Sequence, residues 1–328
     1  MLQSVQIEAG QRPLNELDFM DIYLRLDAVA VPHYRSGHGG VLDLPDADLP
    51  EKFIADAAEL TDHLREHFKG IEAALNYKGM RLRATRLDTA KGEIWAALRR
   101  LPAHPPVLEK LGFIPQLPPI LEELGRRSGL ILVCGSSGEG KTTTISSLLM
   151  RYLETYGGVG FTLEDPAEYD LEGRCGRSGY CYQTEIHEES EWGEMLKRAL
   201  RWHPRYINVG EIRTPACANQ VLRAATSGHT VLATMHSGSM EEALEGLLQL
   251  AEQDIGDRAA LLLAAGLIGV VHQGFATGGG LYAQFMITEA DNSGSPIRAM
   301  IRDKRIGMTR TIANQQMSRL MQNGRIFS

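Results

Sequence analysis

The feature that most constrains this chain is a glycine-rich turn between an apolar run and a helix-forming stretch. Residues 130–134, LILVC, are uniformly apolar, which is typical of a strand buried on both faces of a parallel sheet. The turn at 135–142, GSSGEGKT, follows at once and fits the spacing G-x-x-x-x-G-K-[ST]. Because glycine reaches backbone conformations that other residues avoid, such a turn can point its N–H groups inward around an anion. The pattern predicts a phosphate-binding loop.

The residue types within this turn indicate how a nucleotide would be held. Lys141 is expected to reach the β- and γ-phosphates, and the hydroxyl of Thr142 is expected to ligate Mg²⁺. The following helix would direct the positive end of its dipole at the same anion. The predicted cofactors are therefore ATP and Mg²⁺. The predicted nucleotide-binding residues here are Gly135, Ser136, Ser137, Gly138, Glu139, Gly140, Lys141, Thr142 and Thr143.

Proline spacing and apolar periodicity predict the domain organisation. Six prolines fall between positions 102 and 119, and each removes a backbone donor and restricts its neighbour. This density predicts a linker over 103–118 between a first domain, 1–102, and a second, 119–328. In the second domain, short apolar runs alternate with helical stretches. That alternation predicts an α/β domain with a largely parallel sheet.

Three polar segments follow the loop in the sequence. The stretch 161–169, FTLEDPAEY, places carboxylates after a predicted strand, where they could hold Mg²⁺ or orient water, or could form a solvated acidic loop. The stretch 206–213, YINVGEIR, ends a strand in Glu211, either a catalytic carboxylate or a surface acid. The stretch 227–237, SGHTVLATMHS, brackets a strand with His229 and His236, of which His236 stands where a γ-phosphate sensor would lie. Both histidines could instead be structural.

Composition narrows the class of protein further. The formal charge is −7, from 34 Lys and Arg against 41 Asp and Glu, so no broad basic footprint favours nucleic-acid binding. Four cysteines form no CxxC pair, which argues against a zinc site. The longest apolar run, 259–271, is shorter than the ~20 residues that a bilayer requires. The N-terminal residues 1–11 contain no signal-peptide core, and a cytoplasmic location is expected.

The ordered motifs resemble the type II/type IV secretion ATPase superfamily over about residues 81–304. They are GSSGEGKT, FTLEDPAEY, QTEI, LKRALRWHP, YINVGEIR and SGHTVLATMHS. The resemblance implies a RecA-like P-loop NTPase core with a smaller PAS-like α+β N-terminal domain. It also implies an ATP-hydrolysing hexameric motor of a type IV pilus, type IV secretion or conjugation machine. PilT-like and type IVB secretion or conjugation members are the most similar branches.

The resemblance also implies a role for each matching residue. Glu164 and Glu168 would act near the metal and water, and Glu211 would be the catalytic carboxylate. His229 and His236 would couple the phosphate state to domain movement.

Two arginine-containing stretches of the first domain match the family as well. The stretches RLRAT, at 81–85, and LRRLP, at 98–102, resemble the family's "RFRVN…RxIP" segment. By that resemblance Arg83 and Arg99 would reach toward the nucleotide at a domain or subunit interface. The planar fork of a guanidinium suits phosphate oxygens. The alternative is two surface arginines, one on a strand and one on a helix.

The sequence does not decide between the branches of this superfamily or between the competing functions. The four-cysteine element of the type II members is absent, and PIRAMIRD, at 296–303, resembles the retraction ATPases' "AIRNLIRE" except at Ala299 and Met300. The implied partners are five further copies of the chain and an inner-membrane platform protein, with the motor held at the membrane by partners and no direct nucleic-acid contact. The alternatives are a RecA-like nucleic-acid translocase and a nucleotide-binding scaffold without hydrolysis.

Overall fold

The computed structural model describes residues 11–36, 47–68, 70–102, 104–276, 280–290 and 295–327. The chain divides into two units, Met1–Ala103 and His104–Ser328. Residues 1–10, most of the N-terminal stretch in which no signal peptide is predicted, lie outside the described residues.

The first unit is a helix packed on one face of an antiparallel sheet. Its elements are a 3-10 turn (Leu14–Glu16), β1 (Phe19–Arg25), β2 (His33–Ser36), β3 (Ala47–Asp48), α1 (Glu51–His67), β4 (Glu72–Tyr77), β5 (Met80–Asp88) and β6 (Ile94–Arg100). The strand order is β3-β2-β1-β6-β5-β4. Helix α1 buries Phe53, Ala57, Leu60 and Leu64, whose spacing places them on one helical face. They share a core with buried strand residues, so this unit has a hydrophobic centre of its own.

The second unit is built around an eight-stranded sheet. Its elements are α2 (Leu117–Glu123), β7 (Gly129–Gly135), α3 (Lys141–Tyr156), β8 (Gly158–Glu164), β9 (Gly173–Cys175), β10 (Gly179–Glu185), α4 (Trp192–Leu200), β11 (Tyr206–Val209), α5 (Pro215–Thr226), β12 (Thr230–His236), α6 (Met240–Ile255), α7 (Arg258–Gly266), β13 (Leu267–Phe275), β14 (Leu281–Ile287), α8 (Pro296–Arg302) and α9 (Thr309–Asn323). Short 3-10 turns lie at Leu108–Lys110, Leu124–Arg126, Glu189–Glu191 and Ile306–Met308. The strand order is β14-β13-β7-β12-β11-β8-β10-β9. The strands from β13 to β10 pair in parallel, and the edge strands β14 and β9 are antiparallel.

Strand β7 shows why the sheet is covered on both faces. Leu130 and Leu132 face a core shared with α4, α5, α6 and α7. Ile131 and Val133 face a second core shared with α2 and α3. A strand with two buried faces needs apolar residues at every position, and β7 is fully buried along its length. The parallel strands therefore bring their carboxyl ends to one edge, with helices on either side.

The proline-rich segment differs from the expected linker. Its residues Leu108, Phe113 and Leu117 are buried in the core beside α3. The hydroxyl of Ser147 on α3 donates to the carbonyl of Pro106 at 2.7 Å. The residues from 104 onward therefore pack within the second unit, because the apolar side chains between the prolines are buried there.

The apolar run 259–271 is divided between a helix and a strand. Its first part forms α7, and its second part continues into β13. In the described ranges, no helix combines the length and apolar character needed to cross a membrane. The four cysteines are unpaired and buried, and within the same ranges no cluster of three or more His, Cys, Asp or Glu is arranged to hold a metal ion.

Candidate functional site

The glycine-rich loop joins β7 to α3 at the carboxyl edge of the sheet. Gly135, Gly138 and Gly140 have positive φ angles of 155°, 79° and 75°, which the sequence anticipates by placing glycine there. Gly140 is left-handed and immediately precedes α3, so the first N–H groups of the helix remain available to an anion. The loop has the form expected of a phosphate cradle.

Lys141 lies inside this loop and not in solvent. Its Nζ donates to the carbonyl oxygen of Ser136 at 2.7 Å and lies 3.1 Å from Nδ1 of His236. The residue is only 7% exposed. Burial lowers the pKa of Lys141, and the charge of Glu211 opposes that shift. Lys141 thus joins the loop to the end of β12 and leaves a cation at the place where phosphates would sit.

A carboxylate, a histidine and an arginine face Lys141 from the neighbouring strand ends. Oε1 of Glu211 is 3.4 Å from Nε2 of His236, and Oε2 of Glu211 accepts from Nε and Nη2 of Arg213 at 2.9 and 2.7 Å. The N–H of Gly210 donates to the carbonyl of Leu163 at 2.8 Å, which continues the sheet up to Glu211. Arg213 therefore holds one oxygen of Glu211, and the other oxygen lies near His236.

Glu164, at the end of β8, is the most deeply buried acid of the site. Its Oε1 accepts from Nε2 of Gln183 at 2.8 Å, whereas its buried Oε2 has no hydrogen-bond partner. Burial raises the pKa of Glu164, although the bond from Gln183 opposes the shift. A buried carboxylate oxygen with a free lone pair suits a cation or an ordered water.

A cavity of about 410 Å³ joins these groups. It is lined by Ser137, Gly138, Gly140, Lys141, Thr142, Thr143, Glu164, Asp165, Pro166, Glu168, Trp192, Gly210, Glu211, Arg213, Thr234 and His236. Three of the loop residues expected to bind nucleotide do not line the cavity: Gly135, Ser136 and Glu139. The rest of the loop, with Glu164, Glu211 and His236, meets at this one place.

His229 does not line the cavity, and its expected role in coupling the phosphate state to domain movement stays a prediction. It immediately precedes β12, and His236 ends that strand, seven positions along. At ~3.3 Å per residue, the two histidines are separated by about 23 Å. Nδ1 of His229 is 2.6 Å from the carbonyl oxygen of Pro204. His229 therefore contacts the turn that precedes β11, at the amino end of β12.

Arg83 and Arg99 belong to the first unit and are neighbours across β5 and β6. Both are on strands, so the alternative that placed one of them on a helix does not hold. Arg99 donates from Nε to Oδ1 of Asp21 at 2.8 Å and from Nη2 to Oδ2 at 3.3 Å, and Asp21 is 4% exposed. Their action on a nucleotide stays a prediction.

Several residues of the site are absent from the predicted set. Arg213 holds Glu211, Gln183 holds Glu164, and the hydroxyl of Tyr169 lies 3.0 Å from that of Thr143 in the loop. Trp192 begins α4 and contributes to the cavity wall. Arg213, Tyr169 and Gln183 lie within the motif segments YINVGEIR, FTLEDPAEY and QTEI, so position in a motif is the signal that could have found them. Trp192 lies outside these motifs and is brought to the cavity by the packing of α4.

Fold and site together define a P-loop NTPase with a RecA-like core and a smaller N-terminal unit. Residues 68–279 match the family model "Type II/IV secretion system protein", and the chain belongs to that family.

Individual relatives agree with this assignment. The protein is 35% identical over 204 residues to "Uncharacterized protein YggR" of Escherichia coli (strain K12), covering 60% of this chain and 58% of YggR. It is 25% identical over 279 residues to "Twitching motility protein" of Neisseria gonorrhoeae, covering 82% and 72%. The structure titled "Crystal Structure of the Pilus Retraction Motor PilT and Bound ADP" is 29% identical, with a TM-score of 0.69 and coverage of 91% and 86%.

Coverage differs among the relatives. The chain spans 58% of the length of YggR and 27% of "Type II secretion system protein E" of Pectobacterium carotovorum subsp. carotovorum, to which it is 36% identical over 150 residues. The ATPase DotB of Legionella pneumophila, 20% identical with a TM-score of 0.68 and coverage of 92% and 85%, shares the fold.

Proposed function

We propose that this protein hydrolyses ATP and works as a motor subunit of a type IV pilus, type IV secretion or conjugation machine. The observation that carries the proposal is the convergence of Lys141, His236 and Glu211 on one cavity beside the glycine loop. A buried cation, a carboxylate held by an arginine and an anion cradle are the parts that phosphoryl transfer requires.

The cavity has the groups to hold ATP and Mg²⁺. Positive-φ glycines and the start of α3 supply N–H donors for phosphates, and Lys141 supplies the neutralising charge. The unpartnered Oε2 of Glu164 and the hydroxyl of Thr142 are oxygen donors of the type that Mg²⁺ prefers. Mg²⁺ would neutralise charge that develops on the phosphates.

Glu211 is proposed as the acceptor of the proton from the attacking water. Arg213 donates two hydrogen bonds to one of its oxygens and leaves the other, 3.4 Å from His236, facing the cavity. His236 contacts both Lys141 and Glu211 and would therefore respond to the loss of the γ-phosphate. Orientation and charge, and not covalent chemistry, would supply the rate acceleration.

The remaining expectations form part of the same proposal. Arg83 and Arg99 would contact the nucleotide from the PAS-like first domain, and six copies would form a ring. The ring would act in the cytoplasm on an inner-membrane platform protein. The solved structure of the motor PilT with ADP, 29% identical and covering 91% of this chain, supports nucleotide binding and a motor role.

The test is ATP turnover by the Lys141→Ala variant. Removal of the buried cation should lower turnover by at least about 100-fold. Lys197→Ala is the matched control, because this variant loses the same charge from the exposed surface of α4, where Lys197 lies 3.8 Å from Glu194. Phosphate release by both variants is measured at saturating ATP and Mg²⁺. Turnover by Lys141→Ala equal to that of Lys197→Ala would refute the proposal.

A further inference from the structure

We propose that Gln273, on β13, is a positioning residue that holds the phosphate loop in its nucleotide-binding shape. The inference rests on the proposed function, because it assigns the support of the proposed ATP site to a strand that contributes no sequence motif. Gln273 is 1% exposed and does not line the cavity.

The side-chain amide of Gln273 joins the two halves of the phosphate-binding element. Its Nε2 donates to the carbonyl oxygen of Glu139, in the loop, at 2.6 Å. Its Oε1 accepts from the hydroxyl of Thr144, in the first turn of α3, at 2.8 Å. One buried amide therefore fixes the loop and the helix relative to each other, and relative to the sheet.

The two hydrogen-bond partners of Gln273 explain why position 273 carries an amide. The Glu139 carbonyl can only accept, so it requires a donor, and Thr144 uses its hydroxyl as a donor, so it requires an acceptor. Glutamate would place an oxygen against the carbonyl, and leucine would leave both groups without a partner. Each buried polar group left unpaired is costly, so the pairing specifies one loop conformation.

Backbone packing shows that the loop lies directly against β13. A Cβ atom added to Gly135 would stand 2.4 Å from the carbonyl oxygen of Gln273, and one added to Gly140 would stand 3.5 Å from its Nε2. A Cβ atom on Gly274 would be 2.9 Å from Oε1 of Glu139 and 2.7 Å from the hydroxyl of Tyr282 on β14. The absence of side chains at these glycines lets the loop reach the amide.

We expect loss of the Gln273 amide to affect the affinity for ATP more than the rate of the chemical step. A loop already held in the bound shape avoids the ordering cost that binding would otherwise incur. The side chain of Gln273 forms its hydrogen bonds with Glu139 and Thr144, and not with Glu211, His236 or Lys141, the groups proposed for chemistry. Its loss should therefore weaken ATP binding and leave the rate at saturation nearly unchanged.

The test compares Gln273→Leu with Gln316→Leu. Gln316, on α9, is 4% exposed, and it also makes two amide hydrogen bonds, accepting from Ile287 N–H at 2.9 Å and donating to Ile287 O at 2.7 Å. Both variants lose a buried amide with two partners, and both should lower the melting temperature. Only Gln273→Leu should weaken binding of a fluorescent ATP analogue, by about tenfold, with turnover at saturation changed less than about threefold.

A second variant keeps the test decisive if Gln273→Leu does not fold. Thr144→Val removes the hydroxyl that donates to Gln273 while preserving side-chain shape, and it should weaken analogue binding about threefold. Equal affinity in Gln273→Leu and Gln316→Leu, or wild-type affinity in Thr144→Val, would overturn the positioning role alone. A wild-type protein that binds no ATP would instead overturn the proposed function.

Discussion

Replacement of Glu211 by glutamine tests the proposed chemistry most directly. The change keeps the length and planarity of the side chain and removes its charge and its capacity to accept a proton. In the structure, Oε2 is bound by Arg213 at 2.9 and 2.7 Å, and Oε1 faces His236 at 3.4 Å. The amide oxygen of glutamine can keep one arginine contact, so the backbone at Gly210 and the cavity shape should persist.

The expected loss of rate follows from the role of a general base. Proton acceptance by a positioned side chain contributes about 10²–10⁴-fold, which is about 2.7–5.4 kcal/mol of activation free energy. The stability cost is much smaller. Arg213 has 48% of its side chain exposed, so its pair with Glu211 contributes about 0–1 kcal/mol, a change in melting temperature of only a few degrees.

The assay is phosphate release at saturating ATP and Mg²⁺, with the affinity of an ATP analogue measured in parallel. Glu211→Gln should bind the analogue within about threefold of the wild type while turnover falls at least about 100-fold. Glu194→Gln is the control, because Glu194 also pairs with an arginine, at 3.4 Å from Arg198, but lies on the exposed surface of α4.

A Glu211→Gln variant that retains more than a tenth of wild-type turnover would refute the assignment of the base. A loss of turnover matched by Glu194→Gln would also refute it, because a general charge effect would then explain the result.

Two further substitutions test the electrostatics of the cavity. Glu164→Gln should raise the melting temperature by a few degrees at pH 7–8 while lowering turnover. Burial holds the pKa of Glu164 above its usual value, so the ionised form destabilises the folded state above that pKa, and the gain should shrink as melting scans approach pH 4.5. Glu139→Ser should tighten binding of the ATP analogue about two- to fivefold, because Oε2 of Glu139 accepts from the N–H of Ser136 at 2.6 Å and adds negative charge to the loop.

Each of these predictions has an outcome that contradicts it. A gain in melting temperature for Glu164→Gln that persists unchanged at pH 4.5 would show that charge burial is not the cause. Analogue affinity that is unchanged or weaker in Glu139→Ser would show that the carboxylate supports the loop and does not oppose the phosphates.

The local conformations of the loop were predictable because they depend on residue type. Gly135, Gly138 and Gly140 adopt positive φ, as only glycine does easily. The apolar run before them forms β7, because a strand buried on both faces has a recognisable composition. The residues after them form α3. The position of Glu211 just after β11 and of His236 at the end of β12 was predictable for the same reason, and their catalytic roles stay a prediction.

The partners of these residues required the tertiary structure. Nothing in the spacing of Gln273 or Gln183 indicates that one reaches Glu139 across the sheet and the other reaches Glu164. The two histidines of one motif were expected to share a role. The seven-residue strand β12 places His229 just before its amino end and His236 at its carboxyl end.

The sequence by itself determined the phosphate loop, the alternation of strands and helices, and the family, because each is written in residue types at fixed short spacings. The tertiary structure decided which side chains meet: Arg213 with Glu211, Gln273 with the loop, and His229 with Pro204. The contacts of Gln273 and His229 join residues that are far apart in the sequence, and a sheet in which β7 lies between β12 and β13 sets distances that linear spacing does not encode. Arg213 and Glu211 are only two positions apart, and there the structure decides the direction of the side chains.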